Sequence, residues 1–307
     1  MSTTDQTRTR EFDTFGPWVD PVSDLAGMPA LYRDYPVDFA ASRLVLKVPR
    51  NISRRDALPT MHLYDHLIVV APAALTVLTR TDDGFTESSI GYEDIAVITD
   101  SVDLIDGRFS IHTRTGATLS LAYNGSSQQV IGRLADLLRE LTLAATSDRP
   151  DAALPPVTAP PAALDLLDLG KQDVGLVTSY FDLLRHETAA RLLAAHGRGP
   201  LRPRGGLLAR ALHALYPMTL HGAVLCRTDR ELQIVGRRSW LVRGKAPELS
   251  RSLTSIPLAA IDVITARPHP KYLAVTVVGL NLGAFTVDLL LPAGSAAERA
   301  LVGGPLG

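Results

Sequence analysis

Ten residues, Ile90-Gly-Tyr-Glu-Asp-Ile-Ala-Val-Ile-Thr99, return 166 positions later as Ile256-Pro-Leu-Ala-Ala-Ile-Asp-Val-Ile-Thr265. Each copy sits at the same place in a longer series: short β-rich segments before it, a hairpin after it, then a helix. An internal echo of this kind constrains the whole chain, because it points to one small β unit built twice. A length of 307 residues leaves room for two such units with separate cores.

The first copy is read over residues 61–145. His66–Ala71 and Ala74–Arg80 are rich in β-branched residues and separated by a Pro-containing turn; Asp82-Asp83-Gly84 is a further turn signal. Phe109, Ile111 and Thr113 alternate with Ser110, His112 and Arg114, as expected of a half-buried strand, and Thr115-Gly116 turns the chain back. Asn124-Gly-Ser-Ser127 supplies capping side chains for a helix that places Val130, Ile131, Leu134, Leu137, Leu138 and Leu141 on one stripe. The second copy is read over residues 217–307. His221–Cys226, Glu231–Val235, the echo, and Tyr272–Val278 with Ala284–Leu291 follow the same order, and a helix from Ser295 reaches only about Val302.

Between the copies, residues 146–172 hold a proline run expected to be an exposed linker. Residues 173–216 read as a helical connector: one helix from Asp173 to about His196, with Leu176, Val177, Tyr180, Phe181 and Leu184 on one face, and a short one over Leu207–Leu215. Residues 1–60 form an N-terminal arm, disordered at its start, irregular over 13–40, with a weak strand at Leu44–Val48.

The chain is 46% hydrophobic and 21% charged. Its longest apolar stretch, Leu67 to Leu78, is broken by Pro72 and falls short of the ~20 residues that span a bilayer. With one cysteine, Cys226, no internal disulfide can form, and a small buried thiol in a strand is expected. These features suggest a cytoplasmic protein, either free or peripheral at the inner membrane face. The net charge of −1 hides an asymmetry: residues 1–184 carry 15 basic and 25 acidic side chains, residues 185–307 carry 16 and 7. The halves are therefore expected to attract each other, or the basic half to meet an anionic partner.

Catalytic motifs are not found. His186-Glu187 opens like a zinc-protease helix, but Ala190 stands where the second ligand belongs. His62 and His66 lie too far apart on a strand to share an ion. Asp82-Asp83 and Glu93-Asp94 sit beside turns, where solvated acids are ordinary. No catalytic residue, metal site or cofactor is expected.

A meander of about six short strands closed by an amphipathic helix resembles bacterial pleckstrin-homology-like (PH-like) domains. The residues carrying the resemblance are Ile90, Tyr92, Asp94 and Ile95, the Gly116 hairpin and the helix from Ser126, then Ile256, Ile261, the Gly283 hairpin and the helix from Ser295. The second copy departs from the first in having Pro257 and Leu258 for Gly91 and Tyr92. The resemblance implies an α+β chain of two strongly bent antiparallel β-barrels, each closed by a C-terminal helix and joined by a helical segment. It also implies binding of peptides, proteins or lipids rather than catalysis.

The stretch Arg237-Arg-Ser-Trp-Leu-Val-Arg-Gly-Lys245 joins two strands and surrounds an apolar trio with basic residues. With Arg227 and Arg230, at the turn corresponding to the lipid-gripping hairpin of eukaryotic relatives, it gives seven candidate contacts: Arg227, Arg230, Arg237, Arg238, Trp240, Arg243 and Lys245. Two functions compete: a scaffold binding protein partners or itself, and a peripheral module on anionic lipid. An enzyme with a site between the copies is a third class. Nucleic acid is disfavoured, because Arg198, Arg202, Arg204 and Arg210 lack interleaved aromatics and suit a docking segment for the acidic half.

Overall fold

A computed structural model describes residues 10–152, 154, 163–205, 215–243 and 249–303. The protein is α+β, mostly antiparallel sheet with few helices. Compactness divides it differently from the sequence-based boundaries. One unit holds the chain up to Asp94 with Ile105–Phe109 and Ser120–Ala145; the other holds Ile95–Leu104, Ser110–Leu119 and the chain from Thr146.

In the first unit, β1 (Asp20–Pro21), β2 (Leu44–Pro49), β3 (Tyr64–Val70), β4 (Ala74–Thr81) and β5 (Gly84–Gly91) form an antiparallel sheet in chain order. The β4–β5 turn falls at Asp82-Asp83, with Gly84 at φ +144°, a conformation few side chains tolerate. Helix α1 (Arg10–Thr14) opens the described chain, and the arm after it is part of this core. Phe15, Val22, Met28 and Tyr32 are buried with Tyr64, Leu67 and Leu78. The Tyr32 hydroxyl donates to the Asp65 carbonyl at 2.8 Å, and burial raises its pKa well above the ordinary phenol value. Enough apolar side chains recur in this Pro- and Asp-rich stretch to bury one sheet face with no more regular structure than the short β1 and two 3-10 turns. Helix α2 (Gln128–Ala145) begins where the Asn124 side chain accepts from the Ser126 N–H, and it buries Ile131, Leu134 and Leu138.

The second unit is built on a sheet of seven strands: β6 (Ile95–Asp103), β7 (Asp106–Thr113), β8 (Thr118–Asn124), β9 (Arg191–His196), β13 (Ala223–Arg227), β14 (Glu231–Gly236) and β16 (Arg251–Pro257). Their spatial order is β8-β7-β6-β16-β14-β13-β9. β7 and β8 run on from this unit into the other. A second sheet contains β17 (Val263–Pro268), β19 (Val275–Leu282) and β20 (Phe285–Pro292). Short pairings join β10 (Gly199–Pro200), β12 (Met218–Leu220) and β15 (Leu241–Arg243), and β11 (Arg202–Pro203) with β18 (Tyr272–Leu273). Among the described residues no sheet closes into a barrel, in contrast to the two helix-closed barrels expected.

Helix α3 (Val174–His186) lays Leu176, Val177, Tyr180 and Leu183 on Val224, Cys226 and Val235, covering one face of β13 and β14. The opposite face presents Leu225, Leu232, Ile234 and Ile256 to Val278, Leu280, Leu289 and Leu291 and to α4 (Ala296–Val302). Burial on both sides explains why β13 reads as a near-continuous apolar run, and β14 is wholly buried although it carries Glu231 and Gln233, whose side chains hydrogen-bond to each other. Cys226 is fully buried, and burial pushes its thiol up to about 12.

Two expectations for the connector need correction. The helix ends at His186, and Arg191–His196 is strand β9, paired with β13. Leu192-Leu-Ala-Ala195 is a short apolar run that period alone cannot assign, and pairing lets it cover both sheet faces. The proline segment is docked at its start: the Ala152 N–H donates to the Leu258 carbonyl at 3.1 Å, and Leu154 is buried in the main core. The expected helix over Leu207–Leu215 falls almost wholly outside the described residues.

Both copies of the echo take the same local path, a strand ending, one 3-10 turn (Tyr92–Asp94 or Leu258–Ala260) and a new strand. Apart from strands of two or three residues, β2 to α2 and β9 to α4 run in the same order: four strands, the turn, three strands, a helix. β6 pairs with β16, with Thr99 opposite Thr254 and their hydroxyls 3.1 Å apart.

Candidate functional site

Strand β14 separates the seven candidate residues. Arg227 and Arg230 flank the turn before it: Arg227 Nε donates to the Thr228 carbonyl at 3.4 Å, and Arg230 donates to the Thr146 carbonyl at 3.0 Å, with Asp151 4.0 Å away. Arg237, Arg238 and Trp240 follow its other end, six residues on, roughly 20 Å away at ~3.3 Å per residue. Arg243 is exposed at the end of β15, and Lys245 lies outside the described residues. The expected single basic patch is therefore two, joined by a buried strand.

Arg237 is turned inward. Its side chain is 5% exposed and donates to the Ser250 carbonyl at 2.7 Å and to Asp173 Oδ1 at 3.3 Å. Asp173, fully buried at the start of α3, also receives Arg198 Nη2 at 3.2 Å and the Arg198 N–H at 3.2 Å. Arg198 thus meets an acid 25 residues upstream, one that belongs to the acidic stretch of residues 1–184. A buried carboxylate is tolerable because two guanidiniums replace its hydration. Two cations on one anion still leave a positive surplus, and Arg237 Nε has no hydrogen-bond partner among the described residues. His196 lies beside the triad; burial lowers its pKa, against smaller opposing effects of the Gly197 carbonyl and Asp173.

Gly222 is the wall between the triad and a cavity. A Cβ there would lie 2.8 Å from Asp173 Oδ2 and 2.9 Å from the His196 carbonyl, so only glycine lets the segments close up. The cavity, about 130 Å³, lies over the sheet face opposite α3. Register puts Ile234, Thr254 and Thr99 in one row of its floor and Gly236 with Ser252 in the next. Space above Gly236 is open for at least 4 Å around the place a Cβ would take. His221, Arg237, Arg238, Ser239 and Trp240 complete the lining. His221 Nδ1 lies 2.7 Å from the Ser239 carbonyl, so that nitrogen carries the proton. Trp240 is half-buried against Leu201, Leu220 and Val275 as well as the main core, folded back rather than projecting.

Four hydroxyl side chains, guanidiniums and an indole wall around a volume of several waters can hold a small anionic group. Of this site the sequence reading identified Arg237, Arg238 and Trp240. It missed Asp173, read only as a helix start, His221, held by its N–H to the Trp240 carbonyl, and Thr99 and Thr254, which the β6–β16 pairing brings together. Their only sequence-level trace is the echo itself, which ends on Thr99.

Among the described residues no cluster of His, Cys, Asp or Glu could hold a metal ion, and no helix is long and apolar enough to cross a membrane. No protein-family model, curated protein or solved structure matched the chain.

Proposed function

We propose that this protein is a non-catalytic interaction module of two PH-like copies, which holds an acidic group of a protein partner in the cavity beneath Trp240. The observation that carries this reading is the positive surplus around the Asp173 triad, next to a hydroxyl-floored cavity. An anion there gains charge-assisted hydrogen bonds in a partly desolvated setting, where they are stronger than in water. The matching order of strands, turn and helix in the two halves supports duplication of a binding fold.

Attachment to an anionic membrane is the second reading. It is less well supported, because Arg237 is spent on Asp173 and Trp240 is packed inward, leaving no contiguous basic and aromatic surface among the described residues. The test uses the Trp18→Phe background, in which Trp240 is the sole indole. Hexaglutamate should change its fluorescence saturably, and Arg238→Ala should weaken binding roughly tenfold, the worth of one charged hydrogen bond. Equal responses to hexaglutamine would remove the reading. Sedimentation with phosphatidylserine but not phosphatidylcholine vesicles, abolished by Arg243→Glu, would favour the membrane instead.

A further inference from the structure

Transposing the β6–β16 joint through the echo shows where a second molecule fits. The echo aligns β6 with β17 and the end of β16 with the end of β5. In this alignment Ser252, Thr254, Ser255 and Ile256 correspond to Thr86, Ser88, Ser89 and Ile90, and Ile98 and Thr99 correspond to Ile264 and Thr265. Within the chain, the β16 of one copy is already paired with the β6 of the other. Their counterparts, β5 and β17, are each the last strand of a sheet, with no strand on the outer side among the described residues. Thr86–Ser89 are exposed along β5, and Val263, Thr265 and Arg267 along β17.

We propose that the protein self-associates head to tail, the β5 edge of one molecule pairing antiparallel with the β17 edge of the next, in the register of the internal joint. The inference rests on the duplication reading, since that reading supplies the register. An edge strand offers N–H and C=O groups that a second strand can pair with; at the end of β17, Pro268, set opposite Phe85 in this register, offers a carbonyl only. The transposed register sets Ser88 opposite Thr265, Ser89 opposite Ile264, Glu87 opposite Ala266 and Thr86 opposite Arg267. No like charges meet. The Ser88–Thr265 rung repeats the hydroxyl pair of Thr254 and Thr99, and Ser89–Ile264 repeats Ser255–Ile98. Because the two edges differ, the contact is heterologous and adds molecules in series, either to an open filament or to a closed ring.

Paired cysteines read this register directly. Directly opposed antiparallel residues have Cα atoms ~4.5–5.5 Å apart, within disulfide reach, and the native thiol, Cys226, is buried. Under mild oxidation, full-length Ser88→Cys/Thr265→Cys should give a ladder of covalent oligomers. Ser89→Cys/Thr265→Cys, one residue out of register, should give much less. Thr99→Cys/Thr254→Cys should link within single chains, reporting the internal joint. Wild-type protein should sediment faster as it is concentrated over a roughly hundredfold range, across which mass action must shift an association. Wild-type protein that stays monomeric, or a disulfide between positions 88 and 265 that forms only within single chains, overturns the proposal. Oligomers that cross-link best in another register also overturn it, and they would remove the duplication argument while leaving self-association in place. The Trp240 cavity is tested separately, since Arg238→Ala should leave the ladder unchanged.

Discussion

The two halves that share an order of elements differ in what covers their first sheets. In the first, β5 leaves Thr86–Ser89 in solvent, and the irregular arm supplies the buried partners of Tyr64 and Leu67. In the second, every residue of β14 is buried, because α3 lies on one face and the β17–β19–β20 sheet with α4 lies on the other. The closing helices differ to match: 18 residues for α2 and seven for α4. The extra layer created an interior deep enough to enclose Asp173, His196 and Arg237. The same order of strands therefore yields a plain core in one place and a buried charge network beside a cavity in the other.

The comparison breaks most sharply at Asp173. Asp173→Ala would leave two guanidiniums facing each other without their acid, a loss of about 3–5 kcal/mol. Hydrogen exchange should show protection falling across α3, β9 and β14 while β3 and β4 keep theirs; a uniform change would mean the two halves are not energetically distinct. Gly222→Ala should cost about 1–3 kcal/mol in urea unfolding, because its Cβ meets backbone that cannot yield. Acidification should have a smaller effect, and it should be larger in the second unit. His112, His196 and His269 there, and His66 in the first, have pKa values lowered by burial. A folded value below the unfolded one makes the unfolded state bind protons first, so stability is full above about pH 6.5 and falls as pH drops below it. His196→Gln should flatten that slope in a pH series of unfolding midpoints. Gly236→Ala should have the least effect, within about 1 kcal/mol and of stabilising sign, since its Cβ enters open space. It would also shrink the cavity, so hexaglutamate binding should drop while the melting temperature holds.

Much of this was legible wherever a local rule decides the outcome. The Asp82-Asp83-Gly84 turn, the α2 stripe, the Ser295 cap and the buried Cys226 follow from period, turn chemistry and propensity. The echo marked the strand–turn–strand path at both places. What stayed hidden depends on partners far along the chain. Leu192–Ala195 fits a helix or a strand until β13 is beside it, and Arg237 looks solvated until Asp173, 64 residues earlier, is brought under it. The arm around Tyr32 has no period to read, yet it is buried by side-chain chemistry alone.

The path of β7 and β8 has a practical consequence. Both strands cross from one compact unit to the other, so the connection between units is made several times rather than once. A gene truncated after Ala145 would strand β6 without β16, and one started at Thr146 would expose the flank of β16 that β6 occupies. Neither piece inherits a finished sheet, and dissecting this protein by point substitution will be more informative than cutting it in two.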